Sequence, residues 1–293
     1  MTAKWIEADL RALDLKYAET NIPPHARPLR AAVEILGNDF SMLSFGSPEV
    51  EAITAAYRAL FSHVSTTWPG AGIGFAASVD EGRKLTMGVA FGSPQISIWK
   101  ALGFDNQPSW WAWCREDAKI AGQTALAFAD LHDFTLGLNA LGQTNNVADD
   151  RWHMAASNLA DVANNLPTAA GVDSIVQPVC LTAELSLKAA LHCAGIEPKK
   201  KHDLPDLASK LADARPHRDD TLIANILKHF PDYVESRYTA VGLSRLTVVR
   251  LALAAQFVAA SSVPVFTGGP CTRDGERQLA GSSATISSMR LAS

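Results

Sequence analysis

Residues 178–211, PVCLTAELSLKAALHCAGIEPKKKHDLPDLASKL, decide the fold. Leu187 and Leu191 recur at the four-residue spacing that puts side chains on one stripe of a helix, and Leu181 and Leu185 widen that stripe. The pattern predicts a helix from about Thr182 to Ala194. Gly195 supplies the left-handed position that ends helices, and Pro198 prevents a restart. Lys199, Lys200 and Lys201 then form a solvated turn. Asp203 is placed to accept main-chain N–H groups as an N-cap, a role worth about 1 kcal/mol. Leu204, Leu207 and Leu211 carry a second helix as far as Arg215-Pro216.

Glu184 and Lys188 lie on the first helix in the favourable order, acid before base. Two readings stand side by side. On an exposed edge the pair contributes only about 0.2–0.5 kcal/mol. Between helices, truncating one partner strands a charge and costs about 3–5 kcal/mol.

Glu184 with Lys188-Ala189, the glycine after the helix, then His202-Asp203-Leu204 and Leu207, resemble the HEPN domain family. Arg237-Tyr238 ahead of a last long helix extends the likeness, which covers about residues 147–263. The resemblance implies an all-α bundle, a homodimer formed through it, and nucleotides or RNA as partners, often in prokaryotic defence or toxin-like systems. It implies a polar groove organised by Glu184, Lys188, His202, Asp203, Arg237 and Tyr238. Ribonucleases of the family carry an arginine followed four to six residues later by histidine, near the last helices. The arginine can stabilise charge on a transferring phosphoryl group, and the histidine can move the 2′-OH proton. Here the last histidine is His229, and none follows Arg237, Arg245 or Arg250. The motif is missing from its expected place, so the bundle reads as a non-catalytic binding or interaction module.

Elsewhere the same spacing occurs in Arg58-Ala-Leu-Phe-Ser-His63, outside the resemblance. It supports an alternative, a metal-independent endoribonuclease using Arg58 and His63. His202-Asp203 invites an acid–base reading, but adjacent residues seldom face each other and Asp203 suits a cap. His202 then locks its loop by hydrogen bonding.

Toward the N-terminus the pattern changes. Residues 1–19 read as an amphipathic helix containing Leu10, Leu13, Leu15 and Tyr17, and residues 28–36 as a second. The tetrapeptide Phe-Gly-Ser-Pro occurs at 45–48 and 91–94, each time between an expected strand (40–45, 85–91) and an expected helix. Serine suits the N-cap and proline the first helical position. Gly72–Val79 and Leu85–Phe91 flank a five-residue loop, a hairpin pattern. The fold class is therefore mainly α: a small α+β domain (1–104), a linking helix and loop (105–146), a helical bundle (147–263) and a weakly ordered tail (264–293). Trp110, Trp111 and Trp113 read as a seam between the halves, or as a platform on which bases stack. A structural subunit holding a partner protein through that seam is a further alternative.

The net charge of −4 argues against a broadly basic nucleic-acid surface. Cys114, Cys180, Cys193 and Cys271 show no zinc spacing, and His217 and His229 are expected to lie near turns without thiolate or carboxylate partners. No metal and no cofactor is expected. The most apolar run, Leu246–Phe266, contains Arg250, Gln256 and Pro264. A membrane span needs about 20 apolar residues without such breaks, so this run reads as a buried helix and the cytoplasm as the location.

Overall fold

The computed structural model describes residues 5–41, 44, 46–88, 97–140, 146–198, 202–232 and 241–263. It divides into two compact units, Met1–Pro69 and Gly70–Ser293. The sequence reading drew its first boundary near residue 104. The structure draws it between Pro69 and Gly70, because the hairpin packs on the helices that follow it.

The first unit holds α1 (Glu7–Glu19), α2 (Arg27–Leu36) and α3 (Pro48–Leu60). Leu10, Tyr17, Ala31, Ala32, Val50, Ile53 and Tyr57 form its core. Ser47 caps α3 by accepting from the Val50 N–H, with Pro48 at the first helical position. Where a strand was expected just before it, the described residues make turn bonds: Ser44 donates to the Ser41 carbonyl and Ser47 to that of Ser44. Residues 42, 43 and 45 of that stretch, and the second Phe-Gly-Ser-Pro at 91–94, lie outside the described residues.

The second unit opens with an antiparallel hairpin, β1 (Gly72–Ser78) and β2 (Glu81–Met87), in a register running from Gly72 opposite Met87 to Ser78 opposite Glu81. Its turn has two residues, Val79 and Asp80. The polar residues expected in a longer loop are instead the first half of β2, where alternate side chains need no core. The helices α4 (Ile98–Ala101), α5 (Gln107–Trp113), α6 (Ala118–Ala140), α7 (Asn146–Asn165), α8 (Asp173–Cys193), α9 (Leu204–Ala214), α10 (Asp220–Leu227) and α11 (Arg245–Ser262) follow. The chain is mainly α, with a two-stranded sheet among the described residues.

Helix α8 is the spine: it packs against α7, α9 and α11. It starts nine residues before the expected Thr182 and tolerates Pro178 within it, where Thr182 Oγ1 donates to the Pro178 carbonyl at 2.8 Å. Its end follows expectation. Gly195 sits at φ 76°, donating to the His192 carbonyl, and Ile196 donates to that of Leu191. These are the two bonds that close a helix through a left-handed residue.

Trp152 is fully buried and Met154 exposed, because residues two apart point to different sides of a helix. Trp110 and Trp113 pack against a core cluster inside the second unit, and Trp111 is exposed.

Candidate functional site

The polar residues singled out on α8 meet the loop that precedes α9. Glu184 and Lys188 are one helical turn apart and both are buried, at 2% and 9% exposure. Lys188 Nζ donates to Glu184 Oε1 at 2.6 Å, so the buried reading of the pair holds. His202 Nδ1 lies 3.1 Å from both carboxylate oxygens. A carboxylate only accepts, so Nδ1 carries the proton and the ring is locked to α8. The His202 side chain is 43% exposed, and this is where the cluster reaches solvent. The next residue, Asp203, accepts the Asp206 N–H at 3.0 Å and caps α9.

Burial dominates the chemistry beside this cluster. Cys180, one turn before Glu184, is pushed up to about 12 by burial and by the Glu184 carboxylate. It is an inert packing thiol at neutral pH.

Two residues that the sequence reading left without a role fasten the hairpin to the bundle. Gln256, in the middle of α11, is fully buried. Its Oε1 accepts the Phe75 N–H at 2.8 Å, while its Nε2 donates to the carbonyls of Phe75 at 3.2 Å and Ala127 at 2.7 Å. Gly74 leaves room for it, since a Cβ there would come within 2.5 Å of Oε1. Arg245, at the start of α11, donates to the carbonyls of Asp80, Leu166, Pro167 and Ala169. A polar residue inside an apolar run was the available signal for Gln256, but its partners lie too far along the chain for spacing to reveal.

Arg58 sits in the last turn of α3 and His63 in the turn after it, both exposed in the first unit. No hydrogen bond or ion pair joins either to another described residue. Arg237 and Tyr238 lie outside the described residues. Among the described residues there is no group of three or more His, Cys, Asp or Glu able to hold a metal, and no helix is long and apolar enough to cross a membrane.

The buried acid–base pair thus lies on α8, with the capped helix α9 packed beside it. Residues 148–258 match the family model of the HEPN domain. A HEPN domain thus lies within the C-terminal half of the chain, from α7 into α11. No curated protein and no solved structure matches the chain. The domain suggests an RNA-related or nuclease-like function.

Proposed function

We propose that the chain is an RNA- or nucleotide-binding module whose HEPN bundle does no chemistry. The observation that supports this reading is how the bundle uses its polar groups. A nuclease of this kind needs an arginine and a histidine aimed at substrate, where they stabilise charge and move a proton. Here Arg245 donates to four main-chain carbonyls, and no histidine follows it. The Glu184 carboxylate is answered by Lys188 and His202. What reaches the surface is the His202 ring, held by a buried carboxylate, whose exposed face suits stacking on a base. Arg237 and Tyr238 complete the ligand-binding set by the family resemblance, as do a homodimer through the bundle and a prokaryotic defence or toxin-like setting.

The test is a titration of short single-stranded RNAs and of nucleotides against the wild type and His202→Ala, with RNA integrity followed in EDTA. Saturable binding, about tenfold weaker in the variant, is expected with intact RNA, since one well-made contact is worth about 1.4 kcal/mol. Equal binding by the two proteins, or none by either, overturns the proposal. Cleavage in EDTA that disappears in Arg58→Ala or His63→Ala replaces it with an endoribonuclease.

A further inference from the structure

The hairpin has two edges, and the described residues cover one of them. On β1, Phe75 turns its N–H and C=O to Gln256, and so away from β2. Phe75 is opposite Lys84. Opposed residues of an antiparallel pair turn their main-chain groups either both toward each other or both away. Lys84 therefore directs its N–H and C=O outward, and by alternation so do Gly82 and Thr86. No described group bonds them there.

Those three residues line one wall of a cleft of about 590 Å³, faced by the end of α4 at Lys100 and Leu102 and by the end of α7 at Asn164. Arg83 lines it as well, and no carboxylate is among its described lining residues. Arg83 is occupied, donating to the Leu102 carbonyl and stacking 3.9 Å from the centre of the Phe104 ring. Neither lysine forms an ion pair with a described residue.

We propose that the open edge of β2 binds an extended acidic peptide segment of a partner protein, which adds to the hairpin as a third strand. The main-chain groups decide for a peptide. A strand offers both donors and acceptors in alternation, whereas a phosphodiester chain offers only acceptors at its phosphates and leaves the β2 carbonyls unanswered. The side chains decide for acid. Two ammonium groups flank the edge, and lysine on an edge discourages neutral or basic strands. A second copy of β2 is disfavoured for the same reason, since it would bring Arg83 and Lys84 against their own kind. The inference does not depend on RNA binding by the bundle.

The probe is a blocked, fluorescently labelled heptapeptide of alternating Glu and Val, titrated against the full chain by anisotropy, with amide exchange followed by NMR. Saturable binding is expected, with slowed exchange at Gly82, Lys84 and Thr86. The variant K84E/K100E is expected to bind about tenfold more weakly or worse, as is a peptide N-methylated on the set of amides that faces the edge. Equal binding of a Lys/Val peptide overturns the proposal. So does equal binding of peptides N-methylated on either alternate set, because it removes the strand ladder without altering the protein. Displacement by a short RNA of equal charge, with exchange at those three amides unchanged by the peptide, reassigns the cleft to nucleic acid and overturns it too.

Discussion

Glu184 and Gln256 are both almost wholly buried, yet their partners come from opposite ends of the range of sequence separation. Glu184 is answered by Lys188, 4 residues on, and by His202, 18 residues on. Gln256 is answered by Ala127 and Phe75, 129 and 181 residues away. The first cluster is charged and local, and it makes one corner of the HEPN bundle rigid. The second is neutral and long-range, and it fixes the hairpin to the bundle by satisfying the main-chain groups of Phe75 on β1. Removing a member of the charged cluster leaves an opposite charge in a poorly solvated place. Removing the amide leaves uncharged groups that cost less each but belong to separate elements.

The charged cluster therefore gives the largest expected effect. Glu184→Ala strands the Lys188 ammonium and is expected to cost about 3–5 kcal/mol in urea unfolding. The double variant E184L/K188M removes both charges and is expected to recover most of that loss. A single variant that unfolds like the wild type would show that water already solvates Lys188, and the contrast with Gln256 would collapse.

Gln256→Leu comes next, at about 2–4 kcal/mol, because it leaves the Phe75 N–H and C=O without partners. Its signature is local. Exchange at the Phe75 amide should accelerate far more than exchange at amides in α8, whereas Glu184→Ala should loosen α8 and α9 and leave Phe75 protected. Uniform acceleration in both variants would mean that the hairpin and bundle open as one unit, and that the two clusters differ only in chemistry.

The same contrast explains what could be read in advance. The Glu184–Lys188 pair, the Gly195 stop and the Asp203 cap are set by neighbours within one or two turns, and spacing alone places them. Whether Glu184 was buried could not be read, because burial depends on α7, α9 and α11 arriving around it. The hairpin was found from its alternation, but its unit was not, since the ties through Gln256 and Arg245 close long loops that leave no local trace. The strand expected at 40–45 failed for a related reason. Residues 42, 43 and 45 lie outside the described residues, no paired strand among the described residues answers Phe40, and Ser41 and Ser44 bond one another in a turn. Of the candidate ligand set, Glu184, Lys188 and His202 meet, while Asp203 next to them caps α9; the catalytic candidates Arg58 and His63 stand exposed in the other unit.

His192 is a third case, half-paired: its local partner Glu197 is exposed, and no long-range bond among the described residues ties it as one ties Gln256. It ends α8 with its side chain 9% exposed, its Nε2 buried without a partner and its Nδ1 3.3 Å from the exposed Glu197. Burial, helped by the charge of Arg151 and opposed by Glu197, holds its pKa below the ordinary 6.5. The unfolded chain then takes up the proton first as pH falls, so it binds more protons than the folded chain in that interval. The contribution to stability is complete above about pH 6.5, is lost as pH falls from there through the lower folded value, and stays constant below both. His192→Phe is expected to remove this slope and to leave stability at pH 8 nearly unchanged, the smallest effect of the three. Urea midpoints at pH 8, 6.5 and 5 for the wild type and the variant measure it. Parallel lines for the two proteins would mean that Glu197 holds the imidazolium as firmly as water does, which would make His192 a second, weaker version of the Glu184 cluster.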